Sequence, residues 1–186
     1  PRRRGATPPP KLAKATLRAW DAGKKVLLMP SDTAGTVGGL FQTDYWNYRM
    51  FKGICENAGK PVSPGTLGIL TDPSHPLFRE FPTEEHTDWQ WFPVLKASRP
   101  KILDALAGYE PIVQVIDNVE RNHRLGLVFE FKVGKGSLLV CCSDLESVLA
   151  YPEGRQFYKA VLDYMRSEDF RPSVSLDKAG LTALFH

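Results

Sequence analysis

The chain has 186 residues, enough for one ordinary domain with its own core, and its 42% apolar and 24% charged residues are those of a folded protein rather than a disordered one. The formal charge of +3 owes much to Arg2, Arg3 and Arg4, with the other charges of both signs interspersed, so no nucleic-acid surface is implied. The longest apolar runs are strand-sized, far below the roughly 18 residues of a membrane span, which excludes a membrane partner.

In chain order, "PRRRGATPPP" has no apolar periodicity and suits an extended linker or arm over residues 1–10. It opens on Pro1 with no signal-like segment, and the chain reads like a piece of a longer polypeptide. From Lys11, positions Leu12, Thr16, Leu17 and Trp20 share one helical face, with Gly23 as a stop. "KKVLLMP" then reads as a buried strand, "SDTAGTVGGLF" as a loop, and the stretch from Asp44 to Gly59 as a second helix with an N-cap and a glycine stop. "GTLGIL" is a short strand, after which Asp72-Pro73 opens a helical turn toward Phe78. The loop "PTEEHTDWQWFP" follows. "PIVQVID" is a clear strand, and "RLGLVFEFKVGKGSLLVCCSDL" reads as two strands joined by a tight Gly-Lys-Gly turn. In "YPEGRQFYKAVLDYMRS", Phe157, Tyr158, Val161, Leu162 and Met165 fall on one helical face.

Helices interleaved with short apolar strands predict a single α/β domain over residues 11–172, a mostly parallel sheet with helices on both faces and one antiparallel hairpin. Residues 173–186 are expected to form a tail with a last short helix, docked or loose. A doubly wound sheet should place a strand ahead of the first helix, and the arm is a poor one.

Four predicted strands end in polar pairs: Ser31-Asp32, Thr71-Asp72, Asp117-Asn118 and Ser143-Asp144. Such residues line a ligand crevice at the carboxyl ends of parallel strands. They also cap helices and close loops, and the step from Ser143 to Glu146 has capping-box spacing. Neither "GICEN", inside a predicted helix, nor "VCCSD" makes a nucleophile elbow; Cys141 and Cys142 are expected in the core, and an adjacent pair on a strand points to opposite faces, which disfavours a disulfide. The four histidines have no ligand spacing and the glycine turns no phosphate-loop pattern, so neither metal nor cofactor is expected.

What stands out is aromatic rings beside hydrogen-bonding groups: Trp46 and Asn47; His86, Asp88, Trp89, Gln90 and Trp91; and Asp117, Asn118, Arg121 and His123. A flat ring next to Asp, Asn, Gln or Arg suits the apolar face and hydroxyl rim of a sugar. The competing reading buries Trp89 and Trp91 while Asp88 and Gln90 tie down the loop, in keeping with the high average burial of tryptophan.

The stretches "DYWNYRMF", "GTLGILTDPSHPLFREFPTEEHTDWQWF" and "PIVQVIDNVERNHRLGLVFEFKVGKGSLLVCCSDL", in this order, resemble a C-terminal region of bacterial glycoside hydrolase family 2 proteins, the β-galactosidase-like sugar hydrolases. The resemblance covers residues 11–172. It implies a class I glutamine amidotransferase-like, flavodoxin-like domain without an amidotransferase site, and a noncatalytic accessory role in a multidomain glycosidase. The partners it implies are upstream domains of the same polypeptide and a homo-oligomer formed through the parent enzyme, which would be exported from a bacterium. The glutamates of such a hydrolase lie on a barrel that is not in this chain, so no catalytic residue carries over. Two rivals remain: a carbohydrate-binding module gripping an oligosaccharide with Trp46, Trp89, Trp91 and Arg121, and an independent hydrolase or amidotransferase-like enzyme using Asp117, His123 or a cysteine.

Overall fold

The computed structural model describes residues 14–41 and 47–185. Its centre is β5 (Arg124–Val133), ten residues of which seven are buried. A two-residue turn leads from β5 into β6 (Gly136–Cys141), and Gly134 takes φ 58° in it, a conformation open to glycine and suited to hairpins that follow the strand twist. β6 runs antiparallel to β5 over residues 128–133 and parallel to β1 (Lys25–Leu28). On the other edge of β5 lies β4 (Val113–Ile116), antiparallel, then β2 (Ile69–Thr71), antiparallel to β4. The two-residue β3 (Lys101–Ile102) pairs with β5 just beyond the end of β6. Between Val113 and Gln114 the partner in β5 jumps from Val128 to Gly126, so β5 carries one extra residue there, a β-bulge.

The expected flavodoxin-like, class I glutamine amidotransferase-like sheet is therefore not what forms. One strand pair is parallel and the others are antiparallel. The connections decide this: the two residues between β5 and β6 and the seven between β4 and β5 are too few for the crossover that parallel neighbours require. Nor do the described residues form helices enough to cover a doubly wound sheet on both faces. Among the described residues only α2 (Asn47–Asn57) and α4 (Pro152–Arg166) exceed eight residues, and no described side chain of α2 is buried.

α1 (Lys14–Asp21) stops where expected: Gly23 at φ 75° lets its amide reach the Trp20 carbonyl while the Lys24 amide reaches Ala19. Gly59 ends α2 in the same way. The main core lies under α4, whose buried stripe is Gly154, Phe157, Ala160, Val161 and Tyr164, turned from the expected face so that Tyr158, Leu162 and Met165 lie at its margin. Phe81, Trp91 and Phe157 meet edge to face at centroid distances of 5.1–5.2 Å. Phe81 follows a 3-10 turn (Pro76–Glu80), while Trp91 closes another (Trp89–Trp91) that runs into α3 (Phe92–Lys96). The segment after Ser173 joins the same body. Its α5 (Lys178–Leu184) and the residue after it bury Leu181 and Phe185.

Gly154 shows how close this packing is, because a Cβ there would sit 2.2 Å from the Val148 carbonyl oxygen. Gly154→Ala is expected to destabilise the domain by about 1–3 kcal/mol, as overpacking against rigid backbone does, read as a lower urea midpoint at unchanged slope.

Candidate functional site

The strand directions divide the expected polar pairs between the two ends of the sheet. β1, β4 and β6 run the same way, so Asp32, Asp117-Asn118 and Ser143-Asp144 lie at one end, and Thr71-Asp72 at the other. No single crevice collects all four. Each acid closes a local loop: Asp32 accepts from the Ala34 amide, Asp72 from the amide and hydroxyl of Ser74, and Asp144 from the Ser147 amide. Ser143 donates its hydroxyl to the Val94 carbonyl inside the core.

Asp117 is the most committed. Its carboxylate, almost wholly buried, accepts from the amides of Asn118 (2.8 Å) and His123 (3.1 Å) and from the Arg121 guanidinium, whose Nη2 lies 2.6 Å away. Arg121 also donates to the Pro64 carbonyl, and the Asn118 side-chain oxygen accepts from the amides of Glu120 and Arg121. Asn122 can take φ 51° here because asparagine tolerates the left-handed region. His123 Nδ1 lies 2.7 Å from Asp104, and that hydrogen bond, with the Arg124 amide on the other oxygen, holds the Asp104 carboxyl below its usual range. Asp117, Asn118, Arg121 and His123 thus knot the β4–β5 connection. Lys101 does similar work at the same end of the sheet. Fully buried, it donates to the Ala34 carbonyl at 2.6 Å and lies 3.8 Å from Asp32, with burial pulling its pKa down against the pull of the carboxylate.

The two tryptophans of "DWQW" part company. Trp91 is fully buried and donates Nε1–H to the Thr83 hydroxyl at 2.8 Å. Trp89 is 75% exposed, stacked on Phe41 at 5.2 Å and 22° and tilted against Phe92 at 5.6 Å. Asp88 caps the turn by accepting from the Gln90 amide, Gln90 donates to the Pro82 carbonyl, and His86 is exposed. Trp46 lies outside the described residues; Asn47 is the first residue of α2.

The thiols of Cys141 and Cys142 are sealed in the core, where burial pushes Cys141 up to about 12 and raises Cys142 also, far from the thiolate a nucleophile needs.

The structure adds a cleft that no motif announced. It encloses about 600 Å³ at the end of the sheet where Thr71-Asp72 lies. β4 stops at Val113 while β5 continues for five residues beyond their last pair. The Tyr109 hydroxyl fills part of the gap, accepting from the Glu130 amide (2.9 Å) and donating to the Glu130 carbonyl (2.8 Å). Further on, Lys132 exchanges backbone hydrogen bonds with Val174 and Leu176. Between these patches the Glu130 side chain meets the cleft, with Oε2 accepting from the Tyr164 hydroxyl of α4 at 2.8 Å. Burial raises the pKa of Glu130 and, further, those of both tyrosines. His75 lines the same cleft, its ring packed on Tyr164 at 5.2 Å and its Nδ1 accepting from the Leu77 amide; burial keeps it readily neutral. These residues come from four separated stretches. The one sequence signal was a glutamate amid the apolar run of β5.

A family model described as a domain of unknown function, DUF8487, matches residues 10–186, nearly the whole sequence. The chain belongs to the DUF8487 family. A search of curated proteins finds no match. Among the described residues of this DUF8487 domain, no group of three or more His, Cys, Asp or Glu side chains is placed to hold a metal ion.

Asp117→Ala should cost roughly 2–4 kcal/mol, between the limits for exposed and buried pairs, because it strands the Arg121 guanidinium and two amides; chemical denaturation checks this. Glu130 sets a pH dependence of opposite sign to that of an ion-paired acid. Its folded pKa lies above the ordinary 4.5, so its contribution to stability is fully present below that value and lost as pH rises through the folded value. Glu130→Gln, which keeps an acceptor for Tyr164, should melt higher than the parent at neutral pH, with the gap closing as pH falls toward 4.5.

Proposed function

We propose that this chain is a noncatalytic accessory domain of a larger polypeptide, of the glycoside hydrolase family 2 kind its sequence resembles, and that it works by docking against neighbouring domains. The observation that carries this reading is the exposed aromatic plate of Trp89, stacked on Phe41 and flanked by Phe92. The centres of protein interfaces are enriched in tryptophan, phenylalanine and methionine. α2 supports the reading: Met50 and Ile54, one helical turn apart, are each 54% exposed, and Phe51 beside them is 46% exposed.

An oligosaccharide is the second reading, favoured by the same ring, since a solvent-facing tryptophan is what a sugar face stacks on. The neighbours of the ring weigh against it. Gln90 is committed to the Pro82 carbonyl and one Asp88 oxygen to the Gln90 amide, so much of the polar rim that would grip hydroxyls is engaged in holding the loop.

The test joins the chain to the polypeptide its gene encodes on the N-terminal side. Hydrogen exchange at α2 and around Trp89 should slow relative to the isolated chain. Trp89→Asp should weaken the joined protein by about 2 kcal/mol, as an interface anchor does, and leave the isolated chain within about 0.5 kcal/mol. Unchanged exchange would reject docking. Saturable calorimetric binding of an oligosaccharide, lost in Trp89→Ala, would replace it with the sugar-binding reading.

A further inference from the structure

We propose that the cleft bounded by β2, β4 and the far half of β5 is a binding site for a small molecule carrying an alkylammonium group, with the Glu130 carboxylate as its counter-ion. At about 600 Å³ the cleft is the size of ordinary small-molecule sites, and it is preformed. Its back is strand backbone held by the Tyr109 hydroxyl and by the pairing of Lys132 with residues 174 and 176, so a ligand need not order a loop to enter.

The chemistry of the lining selects the ligand. Among the described residues no lysine or arginine lines the cleft, and none lies within 4 Å of the Glu130 carboxyl. This is unusual company for a half-buried carboxylate on the central strand. Two acids among the described residues whose side chains are almost wholly buried have their compensation: Asp117 has Arg121 and two amides, and Asp32 has Lys101. Glu130 has one tyrosine hydroxyl. A charge half removed from water with so little to balance it costs stability, and a glutamine would satisfy Tyr164 equally well. A bound cation supplies the missing charge. Asp72 and Glu110 at the walls add to a negative field that repels anions, while Leu70, Pro111, Ile112 and Val174 present an apolar surface to a carbon chain. Leu70 and Val174 are 50% and 44% exposed, apolar side chains left open in the same lining as the carboxylate. A charged head and a short hydrocarbon body satisfy both parts of this lining.

The experiment uses the whole chain, labelled with 15N, titrated with n-butylamine hydrochloride at neutral pH and separately with 1-butanol, the same skeleton without the charge. The amine should move the amide signals of Glu130, Tyr109 and Gln114 saturably and leave those around Trp89 in place. Butanol should bind at least roughly tenfold more weakly, the scale of a hydrogen bond to a charged group. Glu130→Gln, isosteric and expected to fold, should weaken the amine by a similar factor, whereas Trp89→Ala should bind it like the parent. Equal binding of amine and alcohol would overturn the proposal, as would amine binding unaffected by Glu130→Gln or the absence of any saturable shift at these amides.

Discussion

The structure depends on satisfying both edges of one long strand. β5 has ten residues and no neighbour of matching length, so its hydrogen-bonding groups are met piecemeal. One edge takes β6 and then β3; the other takes β4, then the Tyr109 hydroxyl at Glu130, then residues 174 and 176 at Lys132. A sheet of equal strands would have closed the gap between β4 and the last of these patches. Here the gap stays open, and the cleft is its consequence. The segment following α4 is drawn into the body for the same reason, since without it Lys132 would present an unpaired edge.

The same accounting explains why polar residues that look chemical in the sequence are structural in the fold. Asp117, Asn118, Arg121 and His123 crowd into seven residues because the seven-residue link from β4 to β5 must reverse the chain in a tight space, one residue of it at positive φ. Each amide turned inward needs an acceptor, and Asp and Asn side chains provide them. Once both Asp117 oxygens are engaged with amides and a guanidinium, the group has little left to offer a substrate. Lys101 follows this pattern too: a buried ammonium held between a carbonyl and a carboxylate ties the loop after β1 to β3.

Local signals were legible wherever local physics decides. The hairpin was readable from Gly134 between two apolar runs, the ends of α1 and α2 from Gly23 and Gly59, and α4 from its periodicity. Strand direction was misread because a short apolar run looks alike in parallel and antiparallel sheets. The corrective signal was present nonetheless: "NVERNH", between two strands, is far too short for a parallel crossover. β3 and α3 escaped notice for another reason. A two-residue strand and a one-turn helix have no period to detect, and both exist because neighbours hold them. Within "DWQW" alternation was visible but not which ring it would bury; that was settled by Phe81, just ahead of the loop, and Phe157, distant in sequence, closing around Trp91.

The cleft was the least legible feature, and its composition says why it should not be treated as a packing defect. Gaps in a sheet are ordinarily lined by apolar side chains or filled by water-satisfied backbone, and neither requires a carboxylate on the central strand. Glu130 sits where its flanking residues Phe129 and Phe131 are completely buried, and alternation turns its side chain the other way, toward α4 and the cleft. Stability alone would favour leucine or glutamine at such a position, because a half-buried charge with one neutral hydrogen-bond donor weakens the fold. A position at which the fold is weakened, in a cavity open to solvent and away from the knots that hold the loops, is accounted for by something the charge does to another molecule. The Trp89 plate bears the same mark from the apolar side: a large ring that could have followed Trp91 inward is instead held outward by a loop fastened beneath it.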